Sequence, residues 1–138
     1  MAVRIQRRRT AGYRLPEGAV YVGRPTRWGN MFKVGDFYAS RTWAHNRPEP
    51  RGQRAEPGTY WHEGMTFGPW VETVAVVRDR AHAVELFAAY IAYEDVAWGP
   101  ARIRAELGGR DLACWCKLPT RGEADYCHAA VLLELVRR

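Results

Sequence analysis

From residue 79 to the C-terminus the sequence alternates helix and strand signatures, and this alternation constrains the fold more than any other feature. In DRAHAVELFAAYIAYE, Val84, Phe87, Ala88 and Ile91 fall on one stripe, with Ala83, Leu86 and Tyr90 beside it. Asp79 stands where an N-cap is needed. Pro100 suits the first turn of a second helix, PARIRAEL, which Gly108–Gly109 would end. RDLACWC then reads as a strand entering a loop, and CHAAVLLELVRR as a last helix with Val131, Leu132, Leu135 and Val136 on its apolar side.

The N-terminal half adds strands. VRIQRRR alternates apolar and polar residues, and AVYVG is a compact run ending in glycine that suits a central strand. Residues 44–69 hold many breakers and no helical period, and read as a loop or flap excursion with room for a short hairpin. A β-rich run follows at Val74 to Val77. The predicted fold class is α/β: one domain over residues 1–138, with a small, mainly parallel, Rossmann-like sheet flanked by helices.

Charge narrows the partners. The chain has 138 residues with 21 Lys+Arg against 15 Asp+Glu, a net charge of +6. Lysine occurs only at Lys33 and Lys117, so nearly all the excess is arginine, which grips phosphate with two parallel hydrogen bonds. Nucleotides or nucleic acid are the expected partners. No apolar run approaches the roughly 20 residues that span a bilayer, so no membrane partner is expected. The basic start MAVRIQRRRT lacks the apolar stretch of a signal peptide, which points to a cytoplasmic protein with reduced cysteines.

Chemistry concentrates in two places. Cys114, Cys116, Cys127 and His128 lie in LACWCKLPTRGEADYCH. A strand end and a following helix start meet at one edge of an α/β sheet, so the four groups can converge there. Three readings stay open: a Cys3His zinc set, a reactive Cys127 activated by the helix start with His128, His45, His62 or His82 as base, or small buried side chains. The spacing departs from paired C-x-x-C knuckles. The expectation is therefore a supporting cluster with no cofactor, catalytic roles for Cys127 and His128, and zinc on Cys114, Cys116, Cys127 and His128 as the alternative.

The second concentration is YVGRPTRWGNMF. Gly23 and Gly29 allow close approach. Arg24 and Arg27 suit phosphate, Trp28 suits stacking, and Asn30 can read a polar edge. With Cys116 these form the expected ligand-binding set. Trp43, Trp61 and Trp70, with Tyr60 and Phe67, stand among Arg47, Arg51 and Arg54. They suit either a stacking surface for single strands or a small core for the excursion.

Together VYVGRPTRWGNMF, AVELFAAYI, LGGRDLACWCK and CHAAVLLEL resemble the bacterial and phage family catalogued as domain of unknown function 4326. That pattern runs G-R-P, W-G-N-P-F, a helix, G-K-x-L-x-C-W-C-K-P, and C-H before a last helix. Gly23, Arg24, Pro25, Trp28, Gly29, Asn30, Phe32, Cys114, Trp115, Cys116, Cys127 and His128 match it. Met31 departs from it, as do Leu118–Pro119, the longer segment before Cys127 and the longer 44–69 excursion. The resemblance implies a phage source, and hence a host cytoplasm, but no reaction. The expected function is to bind or act on a nucleotide or nucleic-acid base, by hydrolysis or transfer if the chain is an enzyme. The alternatives are a non-enzymatic basic module for nucleic acid or a host protein, and a zinc-binding structural domain.

Overall fold

The computed structural model describes residues 1–42, 46–52, 55–64, 68–92 and 99–138. In chain order the elements are β1 (Arg4–Gln6), β2 (Val20–Tyr21), β3 (Phe37–Arg41), β4 (Pro48–Gly52), β5 (Gly58–His62), β6 (Trp70–Val76), α1 (Arg80–Ile91), α2 (Pro100–Leu107), β7 (Leu112–Cys114) and α3 (His128–Arg137). They fall into two compact units, one of residues 1–30 and 91–138, the other of residues 31–90.

In the first unit β1, β7 and β2 form a three-stranded parallel sheet in that order. The most apolar strand takes the centre: Leu112, Ala113 and Cys114 of β7 are all buried. AVYVG supplies β2 at an edge rather than the expected centre, because β7 carries partners on both sides. Arg4 pairs with Leu112 and Val20 with Leu112, while Ile5 and Tyr21 pair with Ala113. Alternation along the strands therefore puts Arg4, Leu112 and Cys114 on one face and Tyr21 and Ala113 on the other. Helix α2 begins at Pro100 and closes on Gly108, and α3 buries His128, Ala129, Leu132 and Leu133. The buried face of α3 thus starts one turn earlier than the predicted stripe from Val131 to Val136.

In the second unit β4, β3, β6 and β5 form an antiparallel sheet in that order. Helix α1 starts as predicted: the Asp79 carboxylate accepts the His82 backbone N–H at 2.8 Å. Its buried residues are His82, Ala83, Leu86, Phe87 and Ile91, and His82 meets Tyr38 of β3 edge to face at 5.4 Å.

These observations correct the expected fold class. Among the described residues there is not one mainly parallel, Rossmann-like sheet but two sheets, one parallel and one antiparallel, with three helices. The 44–69 excursion, expected as a loop or flap, supplies both edge strands of the second sheet, β4 and β5. Pro48 and Pro50 hid β4 from the sequence reading. Two residues apart, they direct their missing donors to the same side, which an edge strand leaves unpaired. Strand β3 was not foreseen at all. Among the described residues, no helix is long and apolar enough to cross a membrane.

Candidate functional site

The three parallel strands all end at one edge of their sheet, and the sulfur chemistry collects there. Strand β7 delivers Cys114, a bend brings Cys116 back over it, and their Sγ atoms lie 3.7 Å apart. Cys116 has left the strand, so the bend and not strand alternation brings it to Cys114. The segment to Cys127 bulges outward and returns its end to the same place: the Sγ atoms of Cys114, Cys116 and Cys127 all lie within 4.8 Å of one another. Cys127 is the N-cap of α3 with extended backbone (φ −131°, ψ 136°), and its side chain caps nothing. The thiol is left to face the other two.

A buried arginine closes this loop. The Arg4 guanidinium donates to Asp125 from Nε at 2.5 Å and from Nη2 at 3.0 Å, and to the Cys116 and Lys117 carbonyls at 2.9 Å each. Arg4 shares the sheet face of Cys114, so one side chain on β1 holds both ends of the segment that separates Cys116 from Cys127. No sequence motif marked it: the alternation of Val3 and Ile5 with polar residues turns the apolar pair to the core, whereas in the structure Arg4 is buried and Val3 is exposed.

His128 follows Cys127 and is buried. Its Nε2 lies 2.7 Å from the Val22 carbonyl and its Nδ1 4.0 Å from the Cys127 sulfur. A carbonyl can only accept, so the ring proton sits on Nε2 and the Nδ1 lone pair is directed to the sulfur side. Burial pushes the imidazole below its ordinary range, keeping it neutral. The thiols move the other way. The hydrogen bond with Cys116 raises Cys114, and hydrogen bonds with Cys114 and Cys116 together with burial raise Cys127 strongly. This upward direction at Cys127 is opposite to the lowering that a helix start alone would give a thiol.

A cavity of about 340 Å³ opens beside the cluster. Cys114, Cys116 and His128 line one part, Gly23, Arg24 and Asn30 another, and Tyr21 and Trp115 form an aromatic wall. Arg24 is exposed, donates from Nε to the Asn30 carbonyl at 2.8 Å, and makes no ion pair among the described residues. Gly29 permits this: a Cβ there would stand 3.1 Å from the Arg24 backbone nitrogen. Asn30 is buried.

Two expected ligand-binding residues stand elsewhere. Trp28 is buried, with the Arg27 guanidinium 4.8 Å from its ring centre, and offers no open face for a base. Arg27 is paired with Glu106. The sequence reading did not single out Tyr21, and it marked Trp115 only as part of the family pattern and not as a ligand-binding residue. Their rings meet edge to face at 6.3 Å, with Arg7 at 4.6 and 4.8 Å from the two ring centres.

Of the aromatic excursion, Trp70 stacks on His62 at 4.0 Å and lies 5.2 Å from Arg41, while Arg51 pairs with the buried Glu72 and Arg47 lies against Tyr90. These contacts give the region its own packing; Trp61 stays exposed. His82 accepts the Arg78 backbone N–H and serves α1. Trp43, His45, Arg54 and Phe67 lie outside the described residues.

The chain belongs to the family described as domain of unknown function DUF4326, whose family model matches residues 5–138. No curated protein and no solved structure matches it.

Proposed function

We propose that this member of the family binds a nucleotide, or the base of one, in the cavity at the parallel-sheet edge. One observation carries the reading: an arginine without an ion pair and a pair of aromatic rings line the same cavity of about 340 Å³, a size that suits a small ligand. Arg24 holds phosphate, Trp115 takes the flat face of the base with Tyr21 set edge-on beside it, and the Asn30 side supplies polar contact. A nucleotide panel screened by thermal shift tests this. Stabilisation by nucleotides beyond that by the matching nucleosides is expected; none at millimolar ligand overturns the reading.

A second reading concerns the cluster itself: the three thiols hold zinc. A tetrahedral zinc with Zn–S near 2.3 Å places its sulfurs about 3.8 Å apart. The 3.7 Å pair meets that spacing already, and all three sulfurs are within 4.8 Å. Soft thiolates select zinc over oxygen-seeking cations. His128 offers its Nδ1 as the fourth donor while Nε2–H stays on the Val22 carbonyl, the outer contact that metal-bound histidines use. Such a centre ties the end of β7 to the start of α3 and stiffens one wall of the cavity. Elemental analysis of protein prepared without a histidine tag decides it: about one zinc per chain supports the reading, and none after growth with added zinc overturns it.

A further inference from the structure

The cavity lining holds a single arginine, yet three more arginines stand together at its aromatic wall. Strand β1 runs out at Gln6 into Arg7, Arg8 and Arg9. The Arg7 backbone N–H donates to the Cys114 carbonyl at 2.8 Å, and Gln6 Oε1 accepts the Leu118 N–H at 3.3 Å, which fixes this arm beside Trp115. Arg7 lies against Tyr21 and Trp115, and Arg9 lies 4.9 Å from the Trp115 ring centre. Trp115 still keeps 38% of its surface exposed. Arg8 and Arg9 are exposed, and none of the three makes an ion pair among the described residues.

Charge follows the same division. Residues 1–30 and 91–138 carry fourteen Lys+Arg against eight Asp+Glu, whereas residues 31–90 carry seven against seven. The whole net charge of +6 therefore belongs to the unit that holds the cavity.

We infer that the natural ligand is a nucleotide within a single strand of nucleic acid, its backbone crossing Arg7, Arg8 and Arg9 and one base entering beside Trp115. The inference rests on the nucleotide reading above and extends it to a polymer. A free nucleotide brings its phosphate to Arg24 and leaves the three rim cations unused; neighbouring phosphates of a strand use them. Aromatic rings and guanidinium planes both stack on unpaired bases, which a duplex keeps covered.

The test is fluorescence anisotropy with a labelled mixed-sequence single-stranded 12-mer, set against a hairpin duplex and mononucleotides. The single strand is expected to bind at least about tenfold tighter than any mononucleotide and tighter than the duplex. Its affinity should fall with salt by roughly 0.7 log units per log unit of salt for each phosphate neutralised. Arg8→Ala with Arg9→Ala, at two exposed positions, should flatten that slope by about 1.4. Arg8→Glu alone should weaken binding of the strand if the double variant folds poorly. Mononucleotides binding as tightly as the strand, a preference for duplex, or a slope unchanged in the double variant overturns the inference while the cavity reading stands. Failure of both strand and mononucleotides to bind overturns both.

Discussion

Arg4, on the first strand, and Asp125, two residues before the last cysteine, form a two-pronged ion pair across 121 positions of sequence. The pair and the two carbonyls that Arg4 also holds draw the Cys116–Cys127 segment closed. Arg4→Met leaves Asp125 and both carbonyls without their donor, and a loss of about 3 kcal/mol or more is expected in urea unfolding. Zinc affinity should fall with it. A double-mutant cycle with Asp125→Asn should show strong coupling, because the two side chains touch.

The zinc reading makes a separate claim on stability. With zinc a hundredfold above its dissociation constant, chelation should cost about 2.7 kcal/mol and lower the melting temperature. Cys114→Ser, Cys116→Ser and Cys127→Ser should each reduce bound zinc well below one per chain. Cobalt substituted into the wild type should give the absorption of a thiolate-rich tetrahedral site.

Two tryptophans of similar appearance in the sequence should behave oppositely. Trp28 is 5% exposed and Trp115 is 38% exposed. Trp28→Ala should cost about 3–5 kcal/mol by opening a cavity. Trp115→Ala should leave the melting temperature nearly unchanged and weaken ligand binding about tenfold or more, in line with the stacking energy of a base on an aromatic ring. Thermal unfolding and ligand titration on the two variants separate the roles.

Arginines 24 and 27 divide in the same way. Arg24→Ala should weaken phosphorylated ligands while leaving the matching nucleoside little changed. Arg27 is committed to Glu106 at the surface, and Arg27→Ala should alter neither ligand binding nor the melting temperature measurably. Isothermal titration with a nucleoside and its monophosphate reads the difference.

His128→Ala should destabilise as well as perturb the site. The ring is buried and its Nε2–H is the partner of the Val22 carbonyl, so removal leaves a buried acceptor unpaired, at about 1–3 kcal/mol. His128→Asn, which can keep a donor there, should recover part of that loss in urea unfolding.

The sequence by itself determined the local elements whose causes are local. The Asp79 cap, Pro100 and Gly108 at the two ends of α2, the apolar β7 run and the start of α3 at Cys127–His128 are all legible from neighbours a few residues apart. It also marked the cysteine cluster and the Gly23–Asn30 loop. What it left undetermined depends on partners far apart in the chain. Pro48 and Pro50 read as breakers until the edge position of β4 makes their missing donors harmless. Trp28 and Trp115 could not be told apart, since which ring is covered depends on the fold around it. The closure of the Cys116–Cys127 segment was equally hidden, because it rests on Arg4, a residue more than a hundred positions away whose charge becomes a clamp only when β1 pairs with β7. Tertiary structure decided these points because strand pairing and burial join residues that no sequence window contains.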